Sequence, residues 1–195
     1  FSTVIVAPLE TEAAVMLART QVQELTNRDV PLMLFLDRII EISIEIVTPD
    51  GKSEKHILQR QQKLLGRIPD APDVTLYEVN VGQRKRFLVA RSNVDKARVQ
   101  QAVIDSLLMA PQLKRWRDWK GTPIVSVAVG LNKSTVTSGR LYNFLPMGGE
   151  ATSPICGYID APFFADIDRR NTNMNLPLNR LLMEVAAETC ATAAL

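Results

Sequence analysis

The stretch GRLYNFLPMGGEATSPICGYIDAPFFADIDRRNTNMNLPLNR (residues 139–180) decides the fold of this chain. Residues 141–145 alternate around two aromatic side chains and stop at Pro146, which predicts a buried strand with an abrupt end. Two glycines then permit a sharp reversal of the chain. Residues 155–161 form a second apolar run, which predicts another strand.

An adjacent pair of arginines, Arg169 and Arg170, follows in a loop of small and polar residues just before a helix. Paired guanidinium groups in such a loop are suited to binding a phosphate or a carboxylate outside the core of the protein. Asp166 and Asp168 lie just upstream, so a structural loop of internal ion pairs is the alternative interpretation.

The remaining periodicity predicts alternating strands and helices. Ile40, Ile42, Ile44 and Ile46 alternate with polar residues, which indicates a half-buried strand over residues 39–47. The other predicted strands are residues 2–7, 54–63, 74–79, 86–90 and 124–129, the last with 141–145 as its neighbour. The predicted helices are residues 12–25, a short one after Pro31, one opened by Ser92 with Asp95, and one that begins near Pro177. The fold class is therefore α/β (α+β): a mixed, mainly antiparallel sheet with helices packed on one side.

Two helices have apolar stripes that can be read residue by residue. Ser92 and Asp95 have the spacing of a capping box and open the third helix. Its predicted buried stripe is Val99, Val103, Ile104, Leu107 and Leu108. The last helix has the predicted stripe Leu178, Leu181, Leu182, Val185, Ala186 and Thr189.

Composition is that of an ordinary globular protein, with 195 residues and a net charge of +2. No apolar run approaches the ~20 residues that span a bilayer, and no signal peptide is visible. Cys156 and Cys190 are predicted to be small buried residues in a reducing compartment, so we expect a cytoplasmic location. His56 has no partners at ligand spacing, so no metal site is predicted.

Three segments, YNFLP (142–146), GYIDAPFFADIDRRN (157–171) and LMLFLDRIIEISIE (32–45), resemble the sacsin-type repeat, in the part that follows its nucleotide-binding domain. They are similar, more distantly, to the middle segment of the ninety-kilodalton heat-shock chaperone, another GHKL ATPase. The resemblance implies that residues 1–8 are the last strand of a preceding ATPase domain, and that residues 9–195 form a middle or transducer-like domain. It also implies that ATP and Mg are bound by a domain outside this chain.

The resemblance also implies roles for individual residues. Arg169 and Arg170 match the position from which chaperone-like ATPases reach the γ-phosphate in the neighbouring domain, where a guanidinium would stabilise the transferring phosphoryl group. Asn171 is expected to orient their loop. Lys133, in GLNKST (130–135), is a candidate contact for the terminal phosphate. It does not belong to a phosphate-binding loop of its own, because that motif needs a glycine directly before the lysine.

The sequence thus predicts the transducer segment of a sacsin-type ATPase, inactive as an isolated fragment. It would sense ATP in an upstream domain and couple that state to distal domains. Its expected partners are that upstream domain and a protein client or a second copy, with no membrane contact. A second hypothesis is a binding module for nucleic acid or a protein through LKRWRDWK (113–120), where basic residues alternate with two tryptophans. The structural alternative for that segment is a helix end with its tryptophans packed inward.

Overall fold

The computed structural model describes residues 2–27, 30–48, 50–82, 85–119, 121, 123–131, 139–148, 150–165 and 170–194. Three α-helices are present in these ranges: α1 (Glu12–Asn27), α2 (Lys96–Met109) and α3 (Pro177–Ala194). A short 3-10 helix, Pro111–Trp116, follows α2. The strands are β1 (Glu41–Val47), β2 (Ser53–Ile68), β3 (Ala71–Val81), β4 (Lys85–Asn93), β5 (Ile124–Gly130), β6 (Arg140–Asn143), β7 (Leu145–Pro146) and β8 (Tyr158–Asp160).

The eight strands form one sheet in the order β1-β2-β3-β4-β5-β8-β6-β7. The first five are antiparallel neighbours joined in sequence, and β8 is antiparallel to β5. β6 and β8 form the parallel pair of this sheet. The predicted fold class, a mixed and mainly antiparallel sheet with helical cover, is confirmed.

One face of the sheet is covered by α2 and α3. The alternate residues Val125 and Val127 of β5 point to this face together with Leu141 and Ile159, and all four are buried. The predicted stripe of α3 is buried along its whole length, with Leu182 fully inaccessible to solvent. This helix-side core positions the edge of the sheet that carries β6, β7 and β8.

The opposite face is covered by residues 30–36. Met33, Leu34 and Phe35 are buried against Val79 and Val89 of the sheet. The predicted short helix after Pro31 is wrong, because this segment forms consecutive turns, closed by amide-to-carbonyl bonds such as Leu34 to Pro31 (3.2 Å) and Leu36 to Met33 (3.2 Å). Five apolar residues in a row bury themselves on all sides here, and a one-sided helix would leave some of them in water.

Several local expectations need correction. β5 pairs with β8, which is inserted between it and the predicted neighbour β6. The predicted strand over residues 155–161 is paired as a strand over Tyr158–Asp160, and Cys156 is exposed. Leu108 was expected to be buried on α2, but 79% of it is exposed, as is 51% of Ile104.

The cap of α2 also differs from the predicted capping box. The carboxylate of Asp95 accepts a hydrogen bond from the amide of Arg98 (2.9 Å), so Asp95 is the N-cap. Ser92 lies in β4, buried, where its hydroxyl accepts from the Thr189 hydroxyl of α3 (2.7 Å). The Ser92 hydroxyl therefore joins strand to helix.

The N-terminal part of the chain is loosely packed. Residues 2–10 form no helix or strand, and Val4, Ile5 and Val6 are 82–88% exposed. The strand expected over residues 2–7 is not formed within the described residues, and its pairing with another domain stays a prediction. α1 follows and contacts β2, with Val22 buried and Met16 and Leu17 exposed. Among the described residues, none of the helices is both long enough and apolar enough to cross a bilayer.

Candidate functional site

The structure brings two of the sequence segments singled out above into contact at the β6–β8 edge of the sheet. β6 and β8 pair in parallel, with Leu141 opposite Ile159 and Tyr142 opposite Asp160. The side-chain Nδ2 of Asn143 donates to the carbonyl oxygen of Phe163 (3.0 Å), which ties the strand end to the chain that follows β8.

Tyr142 is the deepest polar side chain of this edge. Its hydroxyl donates to the carbonyl oxygen of Pro31 (2.9 Å), which links the edge to residues 30–36 on the far face. Burial, and then the neighbouring Tyr158, raise the pKa of Tyr142 above its ordinary value. The phenol is therefore held neutral as a donor, because its charged form would be buried without water.

Phe144 connects β6 to β7 with a backbone conformation that L-residues rarely adopt. Its φ is 65°, in the left-handed region, and its side chain is 62% exposed. Such a residue costs about 1 kcal/mol or more. The amide of Phe144 donates to the carboxylate of Asp160 (2.8 Å), and this charge-assisted hydrogen bond offsets the cost.

Asn179 on α3 fixes the base of the loop that carries the arginine pair. Its side chain is fully buried; its oxygen accepts from the amide of Phe164 (2.8 Å), and its nitrogen donates to the carbonyl oxygens of Phe164 (2.8 Å) and Asn173 (3.0 Å). An antiparallel bridge between Ala165 and Thr172 closes the loop one residue further out. The loop therefore has a rigid base. Sequence reasoning missed Asn179, although an asparagine inside an apolar helical stripe is a detectable signal.

Arg170 lies on this loop, exposed, and its backbone packs on Gly148. A Cβ on Gly148 would lie 2.7 Å from the Cα of Arg170, so the close approach requires glycine there. Asn171 is exposed, and its side-chain oxygen accepts from the amide of Thr172 (2.7 Å), a contact that orders the loop locally. Arg169, Asp166 and Asp168 lie outside the described residues.

The chain after Lys133 rejoins the described residues next to the same region. Lys133 itself lies outside the described residues. The chain re-enters at Gly139, whose carbonyl oxygen accepts from the amide of Ser153 (3.1 Å), while Arg170 packs on Gly148 of the same 147–153 segment. Gly139, which follows the segment of Lys133, and Gly148, on which Arg170 packs, thus lie on one short stretch of chain.

Arg140 is a third arginine at this place, and the sequence analysis did not single it out. Its Nη1 donates to the carbonyl oxygen of Met147 (3.4 Å). Its Nε is buried and has no hydrogen-bond partner among the described residues. A lone arginine at the start of an apolar strand was the available signal. The Arg140 guanidinium is a second cation beside the 147–153 segment on which Arg170 packs.

The basic and aromatic segment 113–120 is engaged with the core through its tryptophans. The rings of Trp116 and Phe164 lie 4.8 Å apart between centroids, and those of Trp116 and Trp119 lie 6.1 Å apart. Both tryptophans pack against the helix-side core, while Lys114 and Arg117 are exposed. Trp116 therefore supports the loop base at Phe164, as the structural interpretation of this segment expects.

No protein-family model matches the chain, and comparisons with curated proteins and with solved structures also find no match.

Proposed function

We propose that this chain is the transducer segment of a sacsin-type, chaperone-like ATPase. It senses the terminal phosphate of ATP bound in an upstream domain and couples that state to distal domains. ATP and Mg are held by that domain. Arg169, Arg170 and Lys133 are the residues of this chain that approach the phosphate, and Asn171 orients the loop of the arginine pair.

The observation that carries the proposal is an exposed arginine on a loop with a rigid base. Asn179 makes three hydrogen bonds to the two ends of this loop, and the Ala165–Thr172 bridge closes it. A guanidinium acts on a transferring phosphoryl group only if it is held in position before the reaction. The three hydrogen bonds of Asn179 hold the two ends of the loop, and Arg170 is exposed on it.

The N-terminal part of the chain supports the presence of a second body. Val4, Ile5, Val6 and Leu9 are exposed, and so are Met16 and Leu17 of α1. Large exposed apolar side chains grouped in one part of a chain are typical of a surface that binds another protein or domain. In the proposal this surface packs on the ATPase domain, which also places that domain against the transducer segment.

The chemistry assigned to the arginines is electrostatic. An arginine carries a fixed positive charge and a forked set of donors that matches phosphate oxygens. Charge grows on those oxygens and on the leaving group as the phosphoryl group transfers, so the contact strengthens in the transition state. The two arginines would therefore affect turnover more than nucleotide affinity.

Amide hydrogen exchange in the longer parent protein tests the proposal. A non-hydrolysable ATP analogue should slow exchange in peptides over 165–173 and 131–140, because both loops approach the phosphate. A peptide from β2 (Ser53–Ile68) is the internal control and should exchange at an unchanged rate.

The Arg169→Ala/Arg170→Ala protein should lose the slowed exchange in 165–173, whereas Arg180→Ala, an exposed arginine of α3, should retain it. Unchanged exchange in both loops of the nucleotide-bound parent would contradict the proposal.

A further inference from the structure

Two arginines share one carboxylate on the sheet face that is covered by residues 30–36. Nη2 of Arg60 lies 2.9 Å from Oδ1 of Asp37, and Nη2 of Arg91 donates to the same oxygen atom. The Arg60 side chain is 2% exposed and also donates to the carbonyl oxygen of Leu34 (3.2 Å) and to the side chain of Gln62 (2.6 Å). Arg60 thus makes three hydrogen bonds, and one of them holds Asp37 in place.

Arg91 is less completely satisfied. Its side chain is 14% exposed, and its guanidinium carbon lies 4.9 Å from the centre of the Tyr77 ring. Its Nε is buried without a hydrogen-bond partner among the described residues. Two positive charges and one negative charge therefore leave a positive charge that this cluster does not compensate. Burying such a charge is costly unless an anion or water reaches it.

The surface around the cluster adds more positive charge. Arg38 is exposed and directly follows Asp37. Arg67 is exposed and pairs across the sheet with Thr75, which in turn pairs with Arg91, so these residues share a face. On the other side of Arg91 the register leads through Ser126 to Asp160, whose carboxylate already accepts the Phe144 amide.

We propose that Arg91, Arg38 and Arg67 form an anion site for a doubly charged phosphate group, with Arg60 and Asp37 as its positioning residues. These four arginines and Asp37 together have a formal excess of three positive charges. A doubly charged phosphate group would compensate most of that excess. Forked guanidinium donors match phosphate oxygens in geometry as well as in charge. The site uses side chains of β2, β4 and residues 37–38 and none of the residues assigned to the phosphate of ATP, so it is independent of the proposed function.

The alternative is that the two arginines only fix residues 31–37 onto the sheet, with no ligand. Side-chain Nε–Hε resonances of the 195-residue chain distinguish the two. Titration with inorganic phosphate should shift the Arg91 resonance to saturation. Arg38→Gln/Arg67→Gln changes two exposed residues, and it should weaken phosphate binding about tenfold, the equivalent of one charge-assisted hydrogen bond. The matched control is Arg86→Gln, which removes an arginine of β4 on the opposite face that pairs with Glu78, and it should bind phosphate as the wild type does.

Two further probes identify the ligand. Phosphoserine with blocked termini, if bound more tightly than inorganic phosphate, assigns the site to a phosphorylated protein; equal affinity assigns it to free phosphate. Acetate binding as tightly as phosphate would overturn the phosphate assignment. A folded wild-type chain whose Arg91 resonance does not saturate with either phosphate probe would overturn the site, as would unchanged affinity in the Arg38→Gln/Arg67→Gln variant.

Discussion

Asn179 shows how one buried polar side chain can position a functional loop. It makes three hydrogen bonds, and all of them go to backbone groups at the ends of the loop that carries Arg170. Apart from Thr189, the other buried side chains of α3 are apolar. Burying the Asn179 amide therefore has a desolvation cost that its hydrogen bonds offset. Both ends of the loop are therefore tied to α3.

Replacing Asn179 with alanine should lower the free energy of unfolding by about 2–4 kcal/mol, because it leaves the amide and carbonyl groups of Phe164 buried and unpaired. Chemical denaturation measures this difference. Asn175→Ala, at an exposed position just before the helix, is the control and should change stability by less than about 0.5 kcal/mol. Equal effects of the two substitutions would show that the Asn179 hydrogen bonds do not stabilise the ends of the loop.

The buried phenol of Tyr142 makes the free energy of unfolding depend on pH. Below about pH 10 the phenol is neutral in both the folded and the unfolded chain. Above that pH the unfolded chain releases this proton, whereas the folded chain retains it because burial raises the pKa of Tyr142. The unfolded state is then favoured, so the contribution of Tyr142 is present at neutral pH and is lost as the pH rises.

Tyr142→Phe should lower the free energy of unfolding at neutral pH by about 1–2 kcal/mol, because the Pro31 carbonyl oxygen loses its donor. The difference between the two proteins should shrink above about pH 10, since phenylalanine does not titrate. Urea unfolding at neutral and alkaline pH measures it. A difference that stays constant across this range would contradict the burial of the phenol.

At the scale of elements, the sequence predicts strands and helices well but not their neighbours. The alternation of β1 and the apolar stripe of α3 follow directly from side-chain periodicity. The α3 stripe is buried, and the isoleucine face of β1 is half-buried at Ile42 and Ile44 and buried at Ile46. Ile40, just before β1, is 72% exposed, although the alternation groups it with this face. The insertion of β8 between β5 and β6 is a pairing between segments distant in sequence, which periodicity does not encode. The candidate site is also only partly predictable. The arginine pair is visible in the sequence, whereas the hydrogen bonds from Asn179 that hold its loop depend on the tertiary fold.

Two neighbouring leucines of α2 differ in burial, although side-chain periodicity predicts that both are buried. Leu107 is 9% exposed in the helix-side core, whereas Leu108 is 79% exposed. Leu107→Ala should destabilise the chain by about 2–4 kcal/mol, and Leu108→Ala by less than about 0.5 kcal/mol. Thermal or chemical unfolding ranks the two. A large effect of Leu108→Ala in the isolated chain would place the buried stripe of α2 where the periodicity put it.

At the scale of the whole molecule, a single sheet separates two cores, and Arg170 packs on Gly148 beside the β7 edge of that sheet. α2 and α3 close one face and residues 30–36 close the other. The proposed function assigns the nucleotide pocket to a different domain. The isolated 195 residues should therefore give no heat with a non-hydrolysable ATP analogue in calorimetric titration, and they should not hydrolyse ATP. A micromolar dissociation constant for the ATP analogue would contradict the assignment of the nucleotide pocket to a different domain.

The central claim is that the arginine pair assists ATP hydrolysis from outside the nucleotide-binding domain. The most direct measurement is turnover in the parent protein carrying Arg169→Ala, Arg170→Ala or both, with nucleotide affinity measured on the same samples. We expect the double variant to lose at least about tenfold in kcat with little change in affinity, and each single variant to lose less, against the ~10³–10⁵ of arginine fingers supplied in trans. Normal turnover in a folded double variant would contradict the account and leave the loop as a structural element.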